Sequence, residues 1–282
     1  MQVALYMIPL FFLLLFALER AFPLRKPRRP LVPRLIVNGC IGALAVTVAI
    51  LLVRPVAERL ILHAGEFGLL SILAVPDAAK WIVGFLLLDL SFYYWHRANH
   101  ALPILWRLHN AHHIDPDLDV STTFRFHFVE IGLSAAFRAI QIVLIGGPAS
   151  LFVAYEFVFQ LQTLFQHSNL RLPMAVERWL SLVLVTPRMH GIHHSQVREE
   201  NNSNWSSVFS WWDRLHRTLR LNIPQSQVNI GIAGYSLPKD NHVKSVLLMP
   251  FRRQRDYWRR PDGTKATRSS IPGDATQTHL AP

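Results

Sequence analysis

Histidines in three clusters are the residues of this chain best suited to chemistry. The pattern HxxHH occurs twice, as HNAHH at 109–113 and as HGIHH at 190–194, and HxxxH occurs once, at His96 and His100. Eight of the 14 histidines lie in these clusters. Because neutral imidazole is a ligand for iron, zinc, copper and nickel, the clusters predict a metal site.

The spacing within each cluster predicts where its imidazoles point. Residues three or four positions apart share a helix face, so the two ends of each motif converge on one point. The middle histidine of HxxHH lies about 100° away around the helix and can reach a neighbouring point, which favours two metal ions over one. The eight candidate ligands are His96, His100, His109, His112, His113, His190, His193 and His194.

Other polar residues stand close to these clusters in the sequence. His127 and His167 lie at the ends of long apolar segments and are further candidate ligands. Metal-bound imidazoles usually donate their second N–H to a carboxylate or carbonyl. Polar residues near the clusters are candidates for this role, although each could instead lie at the surface or cap a helix. The candidate partners are Asp89, Glu130, Asn169 and Asp213, with Asn204 as a further neutral one.

Long apolar blocks must position the histidines, since 51% of the 282 residues are hydrophobic. A helix that crosses a bilayer needs about 20 mostly apolar residues. The turn Gly146-Gly147-Pro148 predicts a helical hairpin between the last two blocks. We expect an all-α integral membrane protein: a transmembrane helical bundle capped by a cytosolic, helical, histidine-rich domain that binds two metals. The predicted spans are 3–18, 35–53, 81–95, 128–145 and 151–165.

Basic residues predict the topology, because Lys and Arg remain on the cytoplasmic side of a membrane. The basic loop 20–34 is predicted inside and 54–80 outside, while 96–127 and the chain from 167 onward return inside. Both HxxHH motifs then share the cytoplasmic face. The net charge is +11, and the basic residues flank apolar segments. This placement favours anionic lipid headgroups over nucleic acid as their partner. We expect a multi-pass protein of the bacterial inner membrane or the endoplasmic reticulum.

The clusters and their neighbours resemble the fatty acid hydroxylase superfamily, which includes sterol desaturases. The resemblance covers roughly residues 80–220, and the order and spacing of all three clusters match. Phe128 departs from the family's usual Pro, and 216–218 departs from its common Phe-Gly-Thr. The similar stretches are DLSFYYWHRANH (89–100), HNAHH (109–113), RFHFVE (125–130), QHSN (166–169), HGIHHS (190–195) and WDRL (212–215).

This resemblance implies a non-haem di-iron site whose ligands are the eight clustered histidines, with His127 and His167 as further ligands. It also implies O₂-dependent hydroxylation or desaturation of a lipid such as a sterol or a fatty acyl chain. The chain has one cysteine, Cys40, and lacks a dinucleotide-binding glycine motif. We therefore expect a separate electron donor, a ferredoxin or cytochrome b5 with its reductase.

Two alternative functions, from other classes of protein, would use the same histidines. A zinc-dependent membrane hydrolase would bind zinc, and a metal-binding or transport protein would consume no O₂. The predicted organisation is the same in each case. Membrane anchor helices and an interfacial segment occupy 1–80, the hydroxylase-like catalytic domain 81–220, a cytosolic C-terminal segment 221–260 and a disordered tail 261–282.

Overall fold

The chain folds into helices joined by turns and by longer irregular segments such as 114–127 and 216–242. A computed structural model describes residues 2–268, and within them residues outside the helices pair only at isolated β-bridges, such as Ser195 with Ile230. The all-α prediction is therefore confirmed for the described residues. The helices are α1 (Gln2–Ala21), α2 (Leu31–Val48), α3 (Arg54–Ile61), α4 (Leu69–Ile72), α5 (Asp77–Ala101), α6 (Pro103–His113), α7 (Phe128–Ile145), α8 (Ala149–His167), α9 (Met174–Leu180), α10 (Pro187–His193), α11 (Arg198–Asn201), α12 (Trp211–Leu215) and α13 (Val243–Leu248).

Two continuous helical segments are long and apolar enough to cross a membrane. One is Leu31–Ile61, in which a π-helical turn at Ala49–Val53 joins α2 to α3, and the other is α7. Their mean hydropathies are 2.5 and 1.8, and only 28% of each is buried in the protein. Apolar side chains such as Leu51 and Leu144 therefore face outward, as in helices surrounded by lipid.

The other predicted spans also lie within helices. Residues 3–18 lie in α1, 81–95 in α5 and 151–165 in α8. In the bundle core, Phe92 of α5 packs against Phe159 of α8 with ring centroids 4.4 Å apart, and Ile142 of α7 joins the same cluster.

The predicted hairpin between α7 and α8 turns at Gly146 and Gly147. Gly146 has a φ of +69°, and a Cβ atom there would overlap the carbonyl oxygen of Phe67. Gly147 donates its N–H to the carbonyl of Ala64 at 2.7 Å. The turn needs glycine because of both its left-handed backbone and this close approach.

At the opposite end of the bundle, a buried charge network joins the start of α2 to the segment after α6. The Arg34 guanidinium donates to Asp115 at 2.7 Å and to Asp119 at 2.8 Å. The loop before α2 binds the end of α8 there, since the Arg25 N–H donates to the Asn169 side chain. Both HxxHH motifs lie at this end, so the expectation that they share one face agrees with the structure.

The C-terminal segment wraps around the histidine end. Val246 and Met249 pack against Ile41 of α2 and Trp106 of α6. Of the predicted disordered tail 261–282, residues 269–282 lie outside the described residues. Residues 261–268 return to the protein, where Arg268 forms an ion pair with Glu200 at 2.6 Å.

Candidate metal centre

Nine histidines converge at this end of the bundle in two groups. Within each group, one ring nitrogen from every member lies within 4.8 Å of the others. His96 and His100 are partly exposed, and the other seven are buried. Group one consists of His96, His100, His109, His113 and His193, and group two consists of His112, His167, His190 and His194.

Helix geometry explains how the motifs divide between the groups. On α6, His109 and His113 are one turn apart and enter group one, while His112 enters group two. At α10 the arrangement is reversed, since the outer histidines enter group two and His193 enters group one. The predicted separation of the middle histidine from its neighbours is thus present in both motifs.

The ring nitrogens of group two are spaced as ligands of one ion would be. The Nε2 atom of His167 lies 3.0 Å from that of His112 and 2.9 Å from that of His190, which lies 3.1 Å from Nε2 of His194. With metal–nitrogen bonds of about 2.1 Å, neighbouring nitrogens lie about 3.0 Å apart around an octahedral ion and about 3.4 Å apart around a tetrahedral one. The observed separations of 2.9–3.1 Å bring the nitrogens within reach of one ion, and they are also the length of an N–H···N hydrogen bond between imidazoles.

Hydrogen bonds from Nδ1 fix the orientation of several of these rings. His109 donates to Glu130 Oε1 at 2.8 Å, so Glu130 has the predicted supporting position. His96 donates to the carbonyl of Trp205 at 2.9 Å, and His193 to that of Ser203 at 2.8 Å. Such bonds set the tautomer and leave the Nε2 lone pair for a metal.

Some ring nitrogens lack any such partner. Among the described residues, Nε2 of His193 and both ring nitrogens of His100 are buried with no hydrogen-bond partner. Buried polar atoms are nearly always paired, so these atoms fit a bound ion. Burial also lowers the pKa of His193 to about 3, which keeps its imidazole neutral and able to bind metal.

Asp213 and Asp89 support the site through a loop rather than through a histidine. Asp213 accepts the N–H groups of Trp205 and Ser206, each at 2.9 Å. Asp89 accepts the N–H groups of Val208 and Phe209 at 3.1 and 3.0 Å. Together they fix the loop 203–209, whose carbonyls orient His96 and His193.

Three predicted site residues are used elsewhere. His127 lies in neither group: its Nδ1 accepts the Val129 N–H at the start of α7, and its Nε2 donates to the Leu247 carbonyl at 3.1 Å. Asn169 holds the loop before α2 through Arg25. Asn204 donates to the carbonyls of Met189 and Arg220, and so joins α10 to the chain after α12.

Sequence reasoning missed other residues that build the site. The side-chain amide of Asn201 contacts Nδ1 of His113 at 3.2 Å. Gly191 is packed so closely that a Cβ atom would overlap the Arg25 guanidinium. The glycine inside HGIHH was a readable signal of close packing, whereas the carbonyls of Ser203 and Trp205 carry no side-chain signal.

A cavity of about 1010 Å³ leads to both groups of histidines. His96 and His109 of group one line it, as do His112, His167 and His190 of group two. Most of its remaining wall is apolar and comes from α2, α5, α7 and α8. The volume is at the upper end of the usual range for ligand sites, about 300–1,000 Å³, and is large enough for a lipid.

Fold and site together define a class: an all-helical protein in which clustered histidines meet the end of an apolar cavity. Comparison with known proteins shows which sequences resemble this chain. Residues 81–218, just under half of the chain, match the family model described as fatty acid hydroxylase. No solved structure shows a significant match.

Curated relatives match over the same part of the chain. Ornithine lipid hydroxylase OlsE of Rhizobium tropici is 33% identical over 159 residues, which cover 56% of this chain and 47% of that protein. Human alkylglycerol monooxygenase is 29% identical over 49% of this chain and 30% of its own length. Human cholesterol 25-hydroxylase is 26% identical over 48% of this chain and 49% of its own length. The chain thus spans less than half the length of these relatives, which are lipid hydroxylases or monooxygenases by name.

Proposed function

We propose that the protein is a membrane-bound enzyme that hydroxylates or desaturates a lipid with O₂, using two iron ions held by the nine histidines of groups one and two. The observation that carries this proposal is the apolar cavity of about 1010 Å³ that ends at both groups. A lipid chain in the cavity would bring a C–H bond next to the imidazoles. The relatives' names support lipid hydroxylation as the reaction class.

The roles of the chain's own residues follow from their contacts. When bound, the two iron ions would supply the redox chemistry with O₂ that an unreactive C–H bond requires. Glu130 and the 203–209 loop hold the imidazoles in place, and the apolar wall excludes water. No side chain in the cavity is needed as an acid or base, so the depth at which the lipid binds would select the carbon.

The number of ligands favours iron over the zinc of a hydrolase. Zinc is almost always four-coordinate in structural sites, and its catalytic sites use three protein ligands. Group one offers five imidazoles and group two offers four, more than a catalytic zinc ion uses. Transport would need ligands along a path through the bilayer, whereas these histidines lie together at one end of the bundle.

The membrane arrangement is part of the same proposal. α1, α2, α5, α7 and α8 would cross the bilayer, with the histidine end on the cytoplasmic side because its loops carry the basic residues. The membrane would be the bacterial inner membrane or the endoplasmic reticulum. A separate ferredoxin or cytochrome b5, with its reductase, would deliver electrons to this basic face.

Metal content and O₂ consumption test the proposal. Protein purified anaerobically with iron should contain two iron ions per chain and should consume O₂ when given reductant and lipid. His112→Ala removes a group-two ligand and should lower both values. His216→Ala is the matched control, because His216 lies outside both groups and bonds to Tyr94 at 2.8 Å. Zinc in place of iron, or full iron content and continuing lipid oxidation in His112→Ala, would refute the proposal.

A further inference from the structure

Polar side chains line the apolar cavity far from the histidines. Arg138 of α7 forms an ion pair with Glu156 of α8 at 2.5 Å, and Gln160 donates to the same carboxylate at 2.7 Å. All three line the cavity. Charged residues are costly inside a bilayer, where they usually face a cavity, pair with each other and mark a substrate path. Arg138 lies within the candidate membrane span Phe128–Ile145.

Gln141, less than one helical turn from Arg138, has an unpaired acceptor in the same cavity. Its side chain is 3% exposed, and its Oε1 has no hydrogen-bond partner among the described residues. The amide orientation is fixed by its neighbours. The Ser91 hydroxyl donates its one proton to the Leu88 carbonyl at 2.7 Å. The Ser91 oxygen must therefore accept from Gln141, and the atom 2.6 Å away from it is Nε2. The Oε1 atom is therefore a buried acceptor without a donor, in a residue that lines the cavity.

These atoms specify the chemistry of a ligand. Arg138 supplies donors and Gln141 an acceptor, while the ion pair with Glu156 carries no net charge. A hydroxyl group both accepts and donates, so it matches this set. A carboxylate would bring a charge without a spare counter-charge and no proton for Gln141, and an alkyl end would leave the acceptor unpaired.

The distance to the histidines then fixes which part of a lipid would react. Glu130, which contacts His109, precedes Arg138 by eight residues on α7, or about 12 Å along the helix. Glu156 precedes His167 by eleven residues on α8, or about 16 Å. This separation is about half of the 30 Å hydrocarbon thickness of a bilayer. Half of that thickness is the length of a lipid chain in one leaflet.

We propose that Arg138, Gln141 and Glu156 bind a hydroxyl group at one end of the lipid substrate, so that the carbon at the opposite end lies at the histidines. The inference rests on the proposed function for its second half, the site of oxidation. The first half, recognition of a hydroxyl group, stands on the cavity alone and is measured by binding.

The binding test compares three probes of equal chain length: a long-chain primary alcohol, the n-alkane and the fatty acid. Affinities are measured by displacement of a fluorescent lipid from the full-length protein in detergent. The alcohol should bind at least about tenfold more tightly than the alkane, which is the contribution of a charge-assisted hydrogen bond. Equal affinities for alcohol and alkane, or a preference for the fatty acid, would overturn the proposal.

Variants locate the preference. Gln141→Leu removes the side-chain amide at nearly constant volume, both the Oε1 acceptor and the Nε2 group that donates to Ser91. It should abolish the alcohol preference while the alkane affinity stays unchanged. Glu156→Gln should weaken alcohol binding in the same direction. Arg259→Gln is the matched control, because it breaks an exposed ion pair with Asp256 outside the cavity. If folded Gln141→Leu protein keeps the full preference, the assigned site is wrong.

The site of oxidation is read by mass spectrometry of the product from the alcohol. Oxygen should be found near the end remote from the hydroxyl group, and oxygen beside the hydroxyl group would contradict the spacing argument. The two proposals fail separately. A hydroxyl preference without any oxidation refutes the proposed function alone, whereas oxidation without a hydroxyl preference refutes only this inference.

Discussion

Replacing Asp213 by Asn should loosen the loop that orients group one. The buried carboxylate accepts the N–H groups of Trp205 and Ser206 at 2.9 Å each, and the Thr218 hydroxyl at 2.6 Å. An amide presents one oxygen and one NH₂, so one of these donors loses its partner. The lost charge-assisted bond costs about 1.5–3 kcal/mol and the stranded donor about 1–3 kcal/mol, so the free energy of unfolding should fall by about 2.5–6 kcal/mol.

The loss should reach the metal site through the loop carbonyls. Trp205 and Ser203 accept the Nδ1 protons of His96 and His193, both in group one. Outer partners of metal-bound histidines contribute about 10–100-fold to metal affinity. We therefore expect a chelator to remove iron from the Asp213→Asn variant at a lower concentration, with about one ion per chain retained in group two.

Thermal unfolding and chelator titration measure the two effects. At about 2–4 °C per kcal/mol, the unfolding midpoint should fall by about 5–24 °C. Asp256→Asn is the matched control: its carboxylate is 54% exposed, so its midpoint and iron content should remain those of the wild type. A folded Asp213→Asn protein with wild-type midpoint and wild-type chelator resistance would refute the reasoning.

Three further substitutions test separate parts of the structure. Glu130→Gln leaves His109 without a charged partner and should weaken metal binding about 10–100-fold in a chelator titration, with little effect on folding. His127→Ala should keep the full iron content, measured by mass spectrometry of metals, while the lost helix cap lowers the free energy of unfolding by about 1 kcal/mol. Gly146→Ala should lower the thermal midpoint because its Cβ atom meets Phe67, whereas Gly39→Ala, with nothing within 4 Å, should raise it or leave it unchanged.

Apolar blocks predict the five long helices α1, α2, α5, α7 and α8, because each block is long enough to form a buried or lipid-facing helix. They do not predict how far α2 extends. The sequence pattern ends a span at residue 53, before Arg54 and Pro55, but the helix continues to Ile61. The π-helical turn Ala49–Val53 accommodates the missing N–H of Pro55, and such a local adjustment has no clear signal in composition.

For the site, as for the fold, the sequence predicts what local spacing decides and does not predict what tertiary contacts decide. Spacing on a single helix predicts which histidines of each HxxHH motif point together, and the structure places them so. The difference between His127 and His167 is tertiary. Both lie at the ends of apolar helices, but His127 faces the Leu247 carbonyl of the C-terminal segment and His167 faces His112 and His190.

The doubled motif has a physical consequence for the whole site. The HxxHH motif on α6 gives two imidazoles to group one and one to group two, and the motif at α10 does the reverse. Both α6 and α10 therefore hold part of both groups. Moving either helix changes both ligand sets at once, and the two groups can form only when the helices have the same relative position. The burial of seven of the nine histidines adds to this coupling, because an unpaired buried imidazole is costly. The repeated motif therefore makes the two histidine groups a single cooperative unit, supported at one end by the charge network of Arg34 and open at the other to the apolar cavity.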